Sequence, residues 1–221
     1  IEVLDASGKV VSTAAGTKRR GLCRASWSMR MKPPRVPTAA SAAGGAFIGP
    51  RLLPGTYTVR MMKDQTTYTT PLRLVADPRS KYTAAEREAE FALATRLYDM
   101  LGDMTNAVDR INGARLALDQ RAASLTASDP VRQQLQAASA RVDALRKKIV
   151  ATKEGGMITG EERLRENLCD LYGNVVNYEG RPTQTQIDRA GAIQRELANV
   201  VADFNAWAAK ELPQVNASLR E

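Results

Sequence analysis

The feature that most constrains this chain is a change of hydrophobic period at residues 77–83. Before it, Gly49-Pro50-Arg51-Leu52-Leu53-Pro54-Gly55 is a turn punctuated by proline and glycine, and it launches the strand pattern Thr56-Tyr57-Thr58-Val59-Arg60. Asp77-Pro78-Arg79 closes that region. From Thr83 the apolar residues recur at the spacing of a helix buried along one side. Two periods in one chain imply two kinds of packing, a β-sandwich piece first and a helical bundle after it.

The first part divides further. Ile1–Asp5, a turn at Ala6-Ser7-Gly8-Lys9 and Val10-Val11 have the pattern of a hairpin. Cys23, Ala25, Trp27, Met29 and Met31 alternate with Arg24, Ser26, Ser28, Arg30 and Lys32, which predicts a strand with Trp27 as the central core residue. Residues 33–54 match no regular element. Pro33-Pro34, Pro37, the small residues of 39–46 and Pro50 to Pro54 make a long loop, and such loops are functional or packed against something else. Phe47 and Ile48 are its apolar contact candidates. Tyr57, Val59 and Met61 then alternate with Thr58, Arg60 and Met62, and a turn at Asp64-Gln65-Thr66 leads to Tyr68, Thr70, Leu72 and Leu74 on one face. That makes about five strands where a complete immunoglobulin-like sandwich has about seven. A strand is therefore expected before residue 1. The opening at Ile1 within a strand pattern points to the interior of a longer precursor.

In the second part, Thr83-Ala84-Ala85-Glu86 is a capping box, and Phe91, Ala94, Leu97, Leu101, Met104, Val108, Ile111 and Leu118 mark one stripe. Gly102 and Gly113 weaken this helix by about 1 kcal/mol each relative to alanine, so a bend is expected there. Ser128-Asp129-Pro130 starts a second helix, with Leu135, Val142, Leu145 and Ile149 inward and Glu154-Gly155-Gly156 as its stop. Thr159-Gly160-Glu161-Glu162 is a second capping box, opening a third helix through Leu164, Leu168, Leu171, Tyr172 and Val175. Gly180-Arg181-Pro182 breaks it. A last helix runs from Thr183, with Ile187, Ala190, Leu197, Val201, Phe204, Ala208, Leu212 and Val215 inward and Pro213 as a point of kinking or ending. The expected fold class is α+β multidomain: a partial immunoglobulin-like β-sandwich over 1–79 and an antiparallel four-helix bundle over 80–221.

Net charge is +8, and it is unevenly placed. Residues 1–79 carry 13 Lys and Arg against 4 Asp and Glu, whereas 80–221 carry 19 against 20. The densest cluster is Lys18, Arg19, Arg20, Arg24, Arg30, Lys32 and Arg35. A basic face can hold an anionic polysaccharide or cell-surface polymer, and it can equally be a solvated surface. Arg24, Arg30, Lys32, Arg35, Phe47 and Ile48 form the candidate interaction surface. Single-stranded nucleic acid is disfavoured, because stacking aromatics are not interleaved with these charges.

There is no histidine, the commonest general base and metal ligand. Cys23 and Cys169 are far apart and have the setting of small core residues, with a bridge between them left open. The glycines at 155–160 are followed by Glu161-Glu162, which repel phosphate. Asp99/Asp103 and Glu162/Glu166 are interleaved with Arg and Lys and have the pattern of solvated faces. No catalytic, cofactor-binding or metal-ligating residue is expected, and no cofactor. No stretch approaches the ~18 apolar residues of a membrane span.

Gly21-Leu22-Cys23-Arg24-Ala25-Ser26-Trp27, the run Gly49-Pro50 to Pro54-Gly55-Thr56-Tyr57-Thr58-Val59-Arg60, and Asp77-Pro78-Arg79 before a long helix occur here in a telling order. Together they resemble the C-terminal region of large bacterial sortilin-like proteins that carry BNR (Asp-box) β-propeller repeats. The resemblance spans essentially the whole chain. It implies an immunoglobulin-like domain of the flagellar hook-capping type followed by a helical tail, in a secreted, periplasmic or cell-surface protein. It also implies that any glycosyl-hydrolase-like activity belongs to propellers upstream, since this chain holds no Ser-x-Asp-x-Gly-x-x-Trp box. The expected role is that of a non-catalytic structural module that docks against those propellers or self-associates. The alternatives are a binding module for an anionic polysaccharide and an accessory part of an enzyme.

Overall fold

The computed structural model describes residues 1–17, 19–41, 44–155 and 160–219. The chain is α+β, with four antiparallel strands followed by four helices: β1 (Glu2–Leu4), β2 (Val10–Thr13), β3 (Gly55–Lys63), β4 (Thr66–Leu74), α1 (Ala84–Ala123), α2 (Pro130–Ile149), α3 (Leu164–Val176) and α4 (Gln184–Ser218). The strands form one sheet in the order β2-β1-β3-β4.

The β1–β2 turn closes because the Asp5 carboxylate accepts from the backbone N–H groups of Ser7 and Lys9, while Gly8 takes a φ of +83°. The β3–β4 hairpin turns through Asp64, at φ +54°, and Gln65. Its nine cross-strand pairs run from Gly55↔Leu74 to Lys63↔Thr66.

The predicted strand over Cys23–Met31 does not form. Residues 21–26 are exposed whatever their parity, and Cys23 with them, so Cys23 is not a core residue. A strand needs a ladder partner, and only the end of this segment finds one. Arg30 bridges Arg51, and the Met31 and Lys32 N–H groups donate to the carbonyls of Pro50 and Val11. Met29, at φ +58°, interrupts the extended run at that point. Trp27 is only partly buried. It meets Tyr57 edge to face, with ring centroids 6.1 Å apart, and its indole N–H donates to the Arg30 carbonyl.

The long loop is packed down. Its neck closes where Arg30 pairs with Arg51, and its body lies as a strap across the helices. Ala46 is part of the helical core, with Val36, Ala39 and Ile48 packed against it. The N–H of Ala40 donates to the Ala151 carbonyl, and the Tyr172 hydroxyl donates to the Ile48 carbonyl at 2.7 Å. At Gly45 and Gly173 the strap and α3 touch backbone to backbone. A methyl group on Gly173 would lie 2.6 Å from the Gly45 Cα.

The helical core is the larger one, built on Leu97, Leu101, Met104, Ile111, Leu135, Leu168, Tyr172 and Ile193. Thr83 caps α1 and Thr183 caps α4, each through a reciprocal box with the residue three on, and Asp129 caps α2. α2 ends at Ile149, before Glu154-Gly155. α3 starts at Leu164, where the Glu166 carboxylate accepts from the Arg163 N–H; the Thr159 box lies outside the described residues. α4 runs through Pro213 without ending there, and it buries Trp207 beside Phe204 while leaving Ile187 exposed. A second, small core of Val3, Val11, Leu52 and Tyr57 lies on the sheet, with Trp27, Met31, Leu74 and the α1 residue Phe91 against it.

Candidate functional site

The six residues proposed from sequence do not make one surface. Arg24 and Lys32 are exposed. Arg30 turns inward instead: its guanidinium donates to the carbonyls of Gly49 at 3.0 Å and Val176 at 3.2 Å, joining the neck of the strap to the end of α3. Burial, with Arg51 close by, lowers its pKa. Arg35 spans from the strap to α1, bonding Asn106 at 3.1 Å and Asp109 at 2.9 Å. Phe47 is 69% exposed, whereas Ile48 packs on the helical core. The basic cluster is thus divided between solvent and internal contacts. Lys18 lies outside the described residues.

Glu166 is not on a solvated face. It is buried in a pair with Arg165, accepts from the Ser41 hydroxyl at 2.8 Å, and the same Arg165 donates to the Pro37 carbonyl at 2.7 Å. This buried polar knot holds the strap on α3, with Arg165 Nε and Nη1 and both Glu166 oxygens hydrogen-bonded. Cys169 lies beneath it with its thiol pushed up to about 12 by burial, so it is a packed and unreactive sulfur. Cys23 and Cys169 are both free thiols. Among the described residues no three His, Cys, Asp or Glu side chains come together as a metal site, and no helix is long and apolar enough to cross a membrane.

What the sequence reading missed is the outer half of the β3–β4 hairpin. Tyr57 pairs with Leu72 and Val59 with Thr70 on the face that carries the small core. The next pair on that face, Met61 with Tyr68, is exposed on both strands. Residues 61–70 are all exposed, with Met62 on the opposite face. The cause is strand length. β1 and β2 are three and four residues long against nine for each strand of the hairpin, so a two-stranded ribbon projects past its cover. The signal was legible as a mismatch between short and long strand patterns. Isolated ribbons of this kind are marginal until something packs on them.

Comparison of the chain with protein-family models, with curated proteins and with solved structures finds no match.

Proposed function

We propose that this chain is a non-catalytic structural and interaction module, a partial immunoglobulin-like sandwich joined to an antiparallel four-helix bundle. Its setting is the C-terminal region of an exported BNR-propeller protein. The observation that carries this reading is the apolar face of β3–β4, which continues from Tyr57 of the small core, paired with the half-buried Leu72, out to the uncovered pair Met61/Tyr68. A second sheet packed there would extend the small core without rearranging it. The occupant is another domain of the same parent protein. The lack of histidine and the internal use of Arg30 and Glu166 support a packing role over a chemical one.

Methionine oxidation tests this directly, because a thioether takes up oxygen only where peroxide reaches it. Met61 and Met62 are both oxidised in the isolated chain. In the intact parent protein Met61, on the core face, is protected several-fold while Met62 keeps reacting. Equal oxidation of Met61 in both forms would sink the reading. Protection that grows with concentration of the isolated chain would replace the neighbouring domain with a second copy.

A further inference from the structure

Between the strap and α3 lies an open cleft of about 850 Å³. Phe47 of the strap and Tyr178, just past α3, are 69% and 51% exposed and give it two aromatic rings. Along α3 and its two ends lie Glu162, Asp170, Asn174 and Asn177, all of them exposed and lining the cleft. Its carboxylates are not equally answered. Glu161 pairs with Arg163 and Glu166 with Arg165, but Glu162 and Asp170 have no ion-pair partner among the described residues. Burial, with Glu162 and Glu166 close by, raises the Asp170 pKa, and no described cation opposes them.

The same chain carries the opposite arrangement between β2 and the neck of the strap. Arg19, Arg20 and Arg24 are exposed there and have no acidic partner among the described residues. Leu22, in their midst, is 90% exposed. No helix or strand takes up residues 19–26, so their backbone is open to a partner.

We propose that the segment Arg19–Arg24 of a second copy of this chain docks in this cleft. Its guanidinium groups pair with Glu162 and Asp170 and lie over the rings of Phe47 and Tyr178, while Leu22 packs on Phe47. Asn174 and Asn177 offer amide donors and acceptors to the incoming backbone. Other occupants answer less of what is exposed. A metal ion lacks ligands, because no three His, Cys, Asp or Glu side chains converge among the described residues. A small organic cation leaves the basic segment unmatched, whereas a second copy satisfies both surfaces in one contact. Exchanged reciprocally, that contact forms twice about a two-fold axis and closes the assembly as a dimer. Each copy carries a net +8, which repels at a distance. At about 0.1 M salt the screening length is about 10 Å, so remote charges are muted and contacting pairs are not. No residue of β3 or β4 lines the cleft, so this proposal and the docking at Met61/Tyr68 stand or fall separately.

Sedimentation equilibrium of the full chain tests it, in reducing buffer so that the exposed Cys23 cannot bridge copies. At about 0.1 M salt a monomer–dimer equilibrium is expected, weakened at least several-fold at about 1 M, where the screening length falls to about 3 Å. The double variants Arg20→Glu/Arg24→Glu and Glu162→Lys/Asp170→Lys are each monomeric, with unchanged melting temperature because all four positions are exposed. Mixed in equal amounts, they restore the dimer, since each reversed segment then meets a cleft of opposite sign. Both variants stay net positive, so bulk attraction does not explain their pairing. A synthetic peptide of residues 17–26 shifts the amides of Phe47, Asp170 and Asn174 in a saturable way by heteronuclear NMR. A wild-type chain that is monomeric at every concentration overturns the proposal, as does a dimer that both double variants keep. Peptide binding to a chain that stays monomeric overturns the second copy as occupant and assigns the cleft to a basic segment of another protein.

Discussion

At Gly45 and Gly173 two backbones touch with no side chain between them. Gly45 has a φ of +75°, and a Cβ there would lie 2.6 Å from the Cys169 carbonyl. Gly173 sits inside α3, where glycine is about 1 kcal/mol worse than alanine by helix propensity alone. Its presence there is explained by contact. A methyl at Gly173 would meet the Gly45 Cα at 2.6 Å, and neither backbone can give way without lifting the strap. The two effects oppose, and overpacking wins because it costs roughly 1–3 kcal/mol. Gly173→Ala therefore destabilises the protein by up to roughly 2 kcal/mol net, despite improving the helix. Gly102→Ala is its control, because nothing lies within 4 Å of a methyl at that position. Denaturant midpoints that rise for both variants would show that the strap does not bear on α3.

The helices differ in what holds their ends. Ten of the thirteen residues of α3 are buried, and its N-cap Arg163 adds no hydrogen-bonding hydroxyl or carboxylate of the usual kind; packing supplies its stability. α1 begins on exposed residues, so its first turn depends on the box in which the Glu86 N–H donates to the Thr83 hydroxyl at 3.2 Å and the Thr83 N–H donates to Glu86 at 2.8 Å. Thr83→Ala removes one half of that box and costs about 1 kcal/mol. Hydrogen exchange should quicken in the first turn of α1 and leave α3 unchanged; a uniform change along the chain would mean the cap acts through the fold as a whole. The Thr83 capping box and the helical stripes were legible in sequence because they are local, set by residues three or four apart, whereas the Thr183 box was passed over. The hairpins were legible for the same reason. The strand over Cys23–Met31 was not, since its alternation is satisfied only if a partner strand runs beside it, and β2 offers just the Val11 carbonyl to Lys32. Glu166 and Ile48 were misplaced on similar grounds. Their burial comes from the strap meeting α3 across more than a hundred residues of sequence.

The two cores, large among the helices and small on the sheet, are linked by the strap, by Phe91 and by the buried wall of Arg87 and Glu90. The boundary drawn from sequence at 79/80 separates the periods, but the strap packs its apolar residues into the helical core. Charge at the junction then ties stability to pH. Burial raises the Glu90 carboxyl to about 7, with Arg51 and Arg30 pulling the other way. A carboxyl raised in the folded state contributes stability that is complete below its ordinary value of 4.5 and is lost as pH climbs to about 7. Asp143 has the opposite sign. Burial disfavours its charge, but hydrogen bonds from Lys147, Arg146 and Arg115 outweigh that and hold it well below 3.8, so its contribution is present above that pH and lost below it. Glu90→Gln removes the first dependence and leaves the second. The variant and the wild type should have the same stability slope below pH 4.5, diverge in favour of the variant as pH rises to about 7, and run parallel above it. The final gap is roughly 3.5 kcal/mol at most, about 1.4 kcal/mol for each unit of displacement. Urea midpoints measured across that range decide it. Curves that stay parallel throughout would mean that Glu90 remains ionised in the folded protein, its buried oxygen answered by a partner at the junction.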